Sequence, residues 1–175
     1  MANVQPLTTK LFDVLFGENQ TSFAGQAKTF KVPDVSEKLE EHRGAAMLGT
    51  IELKQGLEKL EASIVLTDYN AVCLREVGVV NGTSTWVTLR GSIENDQDPD
   101  QAIPVEHVML CNVSKSELND FEEGSVTEVT ITLTSIKQYS HKIDNKEVQF
   151  VDIPNEIWRV NGFDRYAKHR TNIGH

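Results

Sequence analysis

Positive charge is scarce in this chain. Its 175 residues hold 17 Lys and Arg against 26 Asp and Glu, a formal net charge of −9, and the isoelectric point is near 5.0. Affinity for phosphate backbones comes chiefly from Lys and Arg displacing counterions, so a surface that grips nucleic acid is excluded, whereas one that repels it stays open. Cysteine is scarcer still. The two present, Cys73 in a helical pattern and Cys111 in a strand pattern, read as free buried thiols, because their spacing fits neither a metal site nor a redox motif and cytosolic chains rarely keep a disulfide. No apolar run approaches the roughly 20 residues that cross a bilayer. The N-terminal MANVQPLTTKLFDVLF lacks a basic start followed by an apolar segment and a small-residue cleavage site; no secretory signal is expected, and assembly in a cytoplasm is.

Patterns that carry chemistry are missing too. Of the five histidines, His42, His107, His141, His169 and His175, none pairs with another at ligand spacing, so no metal is expected. Glu40 with Glu41, and Glu122 with Glu123, read as solvated charge, with no convergent pocket signature for acid–base catalysis. The DPD run at Asp98 to Asp100 lacks the regular spacing and terminal Glu of a calcium loop and reads as an exposed hairpin tip. Neither catalytic residues nor a cofactor are expected. There is no internal repeat, low-complexity tract or dividing linker, and the length suits one domain, 1–175.

What the chain does have is β-branched alternation. In VTEVTITLTSIKQYSHKI, Val126 to Ile143, Val129, Ile131, Leu133 and Tyr139 alternate with Glu128, Thr130, Thr132, Thr134 and Gln138, the period of two of a half-buried strand. At about 3.3 Å per residue such a ribbon would exceed 50 Å if straight, so it must bend, twist round a barrel or reach beyond its own domain. Further strands are predicted over 8–16, over Phe23 to Val32 and over Lys59 to Thr67, the last with Leu60, Ala62, Ile64 and Leu66 inward. Two more, with Val87 and Leu89 and with Val105 and Met109 toward the core, are joined by the acidic loop Asn95 to Gln101. A hairpin across Asp144 and Asn145, which tolerate left-handed backbone, leads to a strand from Lys146 to Ile153. Asp68 is placed to cap one helix, Tyr69 to Val77, ended by Gly78. Six or more strands with one helix predict a mainly β fold, an antiparallel β-sandwich or open barrel.

Between the second and third strands lies a segment with no clear period, about 37–58. It opens on EKLEEHR, passes through a small-residue patch from Gly44 to Gly49, and carries Met47, Leu48, Ile51, Leu53 and Leu57. Long loops inside compact domains are commonly functional. One that carries apolar side chains away from its own core is expected to pack on another chain. Near the C-terminus, Arg159, Arg165, Lys168, His169 and Arg170 form a basic cluster. In so acidic a chain these are expected in salt bridges between subunits, with Asp164 and Arg165 in the same contact; the alternative is that Asp164 caps a short helix that Gly174 ends, with no interface role.

Two stretches resemble the major tail tube proteins of contractile-tailed phages and of the R-type pyocins derived from such tails. One is KLEEHRGAAMLG, Lys38 to Gly49, with the Gly56-Leu57-Glu58 turn that follows; the other is VNGFDRYAKHRTNIG, Val160 to Gly174. The order of hairpins and the DNKE turn are also similar, so the resemblance runs nearly the whole chain. Two positions depart from it: Ala46 stands where the family often has glycine, which speaks against positive φ there, and His175 ends the chain where an apolar residue is usual.

The resemblance implies a structural protein without catalytic residues, six copies closing into a ring whose strands join into one β-barrel wall, and rings stacking into the hollow inner tube of a virion tail. It implies an inter-subunit and inter-ring loop carrying Lys38, Glu40, Arg43, Gly44, Met47, Leu48, Gly49, Ile51, Leu53 and Leu57. A C-terminal assembly motif would comprise Asn161, Gly162, Asp164, Arg165, His169, Arg170, Asn172 and Gly174. Implied partners are further copies, sheath, tape-measure, baseplate and tail-terminator proteins, with DNA passing through the lumen unbound. For the lumen, a wall of hydroxyls and carboxylates would let phosphates slide, and Glu61, Ser63, Thr88, Glu94, Glu128, Thr130 and Thr132 are the candidates. The tube of a bacteriocin or injection particle fits the same residues, and a monomeric β-barrel binding module is the alternative from another class.

Overall fold

Alternating burial sets the architecture. The structure, a computed structural model, describes residues 6–67, 84–95, 98–120 and 122–174. In chain order the strands are β1 (Leu7–Phe16), β2 (Thr21–Ser22), β3 (Ala27–Lys31), β4 (Glu37–His42), β5 (Ile51–Leu57), β6 (Ala62–Leu66), β7 (Thr85–Asn95), β8 (Asp98–Leu118), β9 (Val129–Ile143), β10 (Lys146–Asp152), β11 (Ile157–Val160) and β12 (Phe163–Asp164), followed by the helix α1 (Ala167–Ile173). The main sheet runs β12-β11-β10-β9-β8-β7-β1-β2, with β6 also paired to β9 and β3 to β6; β4 and β5 form a sheet of their own. Every pairing is antiparallel.

β9 holds this arrangement together. One edge pairs with β8 along its length; the other is divided between β6, opposite Val129 to Leu133, and β10, opposite Gln138 to Ile143. The division falls at a bulge. Asn112 opposes Thr134 while Leu110 opposes Gln138, so β9 advances four residues where β8 advances two, and Ser135 takes a left-handed φ of 50°. Bulges bend a strand and sharpen its twist, which supplies the bend that the length required. It also resets the alternation: Val129, Ile131 and Leu133 are buried, then Ile136, then Tyr139.

Beneath β9 the core gathers Phe16, Ile64, Leu66, Met109, Ile131 and Leu133, all essentially inaccessible, each contributing about 1.5–3 kcal/mol by leaving water. Phe16 meets Phe23 edge to face at 5.3 Å. Across the sheet's concave side, Phe30 on β3 comes over Phe12, Leu89 and Val105 around an opening of about 360 Å³. The sheet therefore curls without closing, since no ladder joins β3 to β1 among the described residues.

Several expectations change. The run from Phe23 to Val32 is a strand only over Ala27–Lys31, because Gly25 at φ 78° turns the chain and Gln26 N–H donates to the Phe23 carbonyl at 3.0 Å. The strand expected from Lys59 begins at Ala62, although Leu60 is buried as foreseen. β8, with 21 residues, is longer than the 15-residue β9. Asn95 pairs with Asp98, so the acidic residues from Asp98 to Gln101 belong to a strand rather than to a loop or its tip. The hairpin at Asp144 and Asn145 is as expected, with φ of 51° and 57°. The helix expected over Tyr69 to Val77, with Cys73 inside it, lies outside the described residues, as does His175. Cys111 is buried and free, its thiol pushed up to about 12 by burial.

Candidate functional site

The segment without a period is a hairpin. β4 and β5 pair from Glu37 with Leu57 out to His42 with Ile51, and residues 43–50 make the tip. No helical or strand stripe was visible because β4 is exposed on both faces beyond Glu37, so nothing selects one side for apolar residues. Glu41 stands directly opposite Glu52, a like-charge pair that weakens the ladder. At the tip Ala46 adopts φ 66°, contrary to the expectation from its departure from glycine. The Met47 N–H donates to the Gly44 carbonyl at 3.3 Å, closing a turn that demands this conformation. Leu39, Ile51 and Leu53 are exposed, and Leu48 is fully so at 104%.

The base of this arm is tied to the C-terminal stretch. Glu37 binds Lys54 at 2.6 Å and Arg165 at 2.6 Å; the Lys54 hydrogen bond, with the Arg165 charge beside it, holds the Glu37 carboxyl below its ordinary range. The Arg165 guanidinium lies 4.1 Å over the Trp158 ring, a stacking that suits a planar cation. Gly56, at φ 104°, faces the Tyr166 hydroxyl 3.8 Å from where a Cβ would stand. Thus the two stretches that carried the resemblance meet in space.

Within the C-terminal stretch, Asn161 and Gly162, at φ 50° and 79°, form the two-residue turn between β11 and β12, the geometry for which Asn-Gly is favoured. Arg159 grips Glu147 through two bonds of 2.9 Å and lies 4.4 Å over Phe150. Arg170 pairs with Asp164 and donates to the Glu156 carbonyl at 2.6 Å. Asp164 accepts the Tyr166 N–H at 3.0 Å, and Gly174 ends α1 in the left-handed conformation. Arg170's hydrogen bond holds the Asp164 carboxyl below its usual range. Of the basic cluster, Arg159, Arg165 and Arg170 have carboxylate partners within the chain, Glu147, Glu37 and Asp164. His169 lies 5.6 Å from Tyr166, ring to ring, and Asn172 is exposed.

Between the arm's base and this stretch opens a groove of about 630 Å³. Leu57, Val151, Ile153, Ile157, Trp158 and Tyr166 give it an apolar floor, while Glu58, Asp152 and Glu156 add three carboxylates against Lys59 and His169. The Trp158 Nε1 is buried and finds no acceptor among the described residues.

Among the lumen candidates, Ser63 opposes Thr132 and shares with Thr130 the face of β6 and β9 turned from the core. The carboxylates are less naked than the sequence implied. Glu61 pairs with Lys59 at 2.5 Å, Glu94 with Lys10 at 3.1 Å and Glu128 with Lys28 at 2.5 Å. Thr88 is 6% exposed, so it offers little to any wall. A histidine pair was missed: His107 and His141 stack at 4.2 Å because their strands place them opposite one another, a juxtaposition that no spacing along the chain reveals. His107 Nδ1 lies 2.9 Å from the Tyr139 hydroxyl, and burial, with the His141 charge, pushes its pKa down to about 4. Among the described residues no group of three or more potential metal ligands occurs, and no helix is long and apolar enough to cross a membrane.

The fold as a whole is similar to chains solved in contractile injection systems. The chain is similar to one from the sheath/tube terminator of the extracellular contractile injection system PVC in the extended state (TM-score 0.58, 10% identity, 81% of this chain and 99% of that one). It is also similar to a chain of the PVC sheath–tube complex in the extended state (TM-score 0.55, 12% identity, 78% and 91%), and to one of the six-fold symmetrised baseplate of the anti-feeding prophage (TM-score 0.54, 14% identity, 86% and 98%). Residues 9–174 match the family model of phage tail tube protein FII, and the tail tube protein of Escherichia phage P2 is 30% identical over 172 residues, covering 97% of this chain and 98% of that protein. The chain belongs to the phage tail tube protein FII family, structural components of the virion tail.

Proposed function

We propose that six copies close into a ring, that rings stack into the inner tube of a contractile tail, and that the whole chain acts as one domain in doing so. The observation that carries this reading is the arm: a hairpin with Leu39, Leu48, Ile51 and Leu53 exposed is poorly stabilised alone and gains burial only against another chain. Its tip, with Arg43, Gly44, Met47 and Gly49, is the inter-subunit contact. The C-terminal stretch from Asn161 to Gly174 acts by fixing the arm's base rather than by reaching outward with its arginines. Unpaired strand edges at the open side of the curled sheet join neighbouring copies and leave no free edge around the ring.

The face bearing Ser63, Thr130 and Thr132 lines the lumen, hydroxyl-rich and with its carboxylates part-neutralised, so that DNA passes without being held. Sheath lies outside, tape-measure protein inside during assembly, and baseplate and terminator proteins at the ends; sheath contraction drives the tube through the host envelope. Negative-stain microscopy of the concentrated protein, alone and beside a baseplate, is expected to show rings or rods about one barrel wide. A compact monomer under both conditions would instead indicate a binding module. A high-resolution map with Ser63, Thr130 and Thr132 on the outer wall would sink the lumen assignment.

A further inference from the structure

We infer that the groove beside Trp158 is the seat for the arm tip of a second copy of this chain, a contact that rests on the tube reading above and gives it a specific docking partner. The tip cannot fill the groove of its own chain. β4 and β5 stay paired from Glu37 out to His42, with one register shift between Glu37 and Leu39, so the ladder holds the tip roughly 20 Å from the base, and the groove lies at that base. A neighbour displaced along the arm places its tip there.

The chemistries of the two surfaces match. The tip, RGAAMLGT from Arg43 to Thr50, has one formal charge, the cation of Arg43, and its large side chains are Met47 and the fully exposed Leu48. The groove has an apolar floor that includes Leu57, Ile153 and Trp158, bordered by Glu58, Asp152 and Glu156 against Lys59. An apolar plug with a single cation thus meets an apolar slot edged by the Glu58 and Asp152 carboxylates, the complementarity that fixes orientation between partners. Gly44, Ala45, Ala46 and Gly49 keep the tip narrow, which lets its backbone approach closely. Because tip and groove are different surfaces of one chain, the contact is head to tail. Such contacts repeat around a ring or along a helix instead of stopping at a dimer.

The test places a photo-crosslinking phenylalanine analogue at position 48 of the full chain and maps its products by mass spectrometry after assembly. Cross-links to peptides holding Leu57 or residues 151–158 of another copy are expected. Leu48→Asp is expected to raise the concentration needed for assembly at least tenfold while leaving the circular dichroism spectrum unchanged, since this side chain touches nothing in its own protomer. Rods of the chain labelled at position 48 with cross-links confined to the exposed Phe163 and Ile173 surface, or to any other place, would overturn the groove assignment and leave the tube standing. A wild-type chain that never assembles, alone or beside a baseplate, would overturn both.

Discussion

The strands around β9 and the arm of β4 and β5 are built from the same backbone ladder, yet they are held by different forces. In the first, one face of every strand is sealed: Ile64, Ile131 and Leu133 have no accessible surface, and each side chain adds to what the hydrogen bonds provide. In the second, the outer residues of both strands face solvent on either side, and the order comes from the base, where Glu37 is shared between Lys54 and Arg165. A two-stranded hairpin without a buried face is marginal in water. The core is thus sealed within one chain, and the outer part of the arm is not.

The largest way to break this contrast is in the core. Ile131→Ala is expected to cost about 3 kcal/mol in chemical denaturation, combining lost burial with the cavity it leaves. Next comes acid. His107 has a folded pKa near 4 and an ordinary unfolded value near 6.5, so the unfolded chain binds the proton first. The stability from keeping this ring neutral is complete above about pH 6.5 and is lost as pH falls from there toward 4. His141, also depressed by burial, adds in the same direction. A loss on the order of 2 kcal/mol is expected over that window after allowing for partial solvation. His107→Asn should flatten this part of the pH profile; a profile as steep as wild type would reassign the effect.

A smaller effect is expected from Gly56→Ala, about 1 kcal/mol, because a Cβ at φ 104° is strained wherever it points. Arg165→Ala is expected to leave the denaturation midpoint nearly unchanged while speeding amide hydrogen exchange in residues 37–57 several-fold, since it releases one tie at the arm's base. Smallest of all, Leu48→Ala should move stability by less than about 0.5 kcal/mol. If Leu48→Ala destabilised the isolated chain as much as Ile131→Ala, the division between finished core and unfinished arm would be wrong.

The core was legible in the sequence because burial on one face writes a period of two, and Leu60, Ala62, Ile64 and Leu66 follow it without interruption. The turn at Asp144 and Asn145 was legible because few residues accept left-handed backbone. The arm could be located but not read as paired strands. Its outer residues face solvent on both sides, and side chains with no inside carry no alternation. The bulge at Ser135 left no mark either, since a serine is at home in strand or turn. The partnering of Arg159, Arg165 and Arg170 within the chain depends on β10, β11 and the C-terminal stretch folding back upon one another. Such proximity is a product of topology, which is also why the stacked His107 and His141 escaped notice.

The divided edge of β9 has a mechanical consequence. A push delivered at the arm's base passes through Arg165 and Trp158 into β11 and β10, and enters the rest of the molecule through the rungs between β10 and the second half of β9. The first half of that strand is reached by a second route, since β5 runs on through residues 58–61 into β6, which clasps it. Thrust along a tail would therefore load the two ends of a single ribbon by separate routes, one along the chain itself and one through side chains, and the kink at Ser135 is where the two meet.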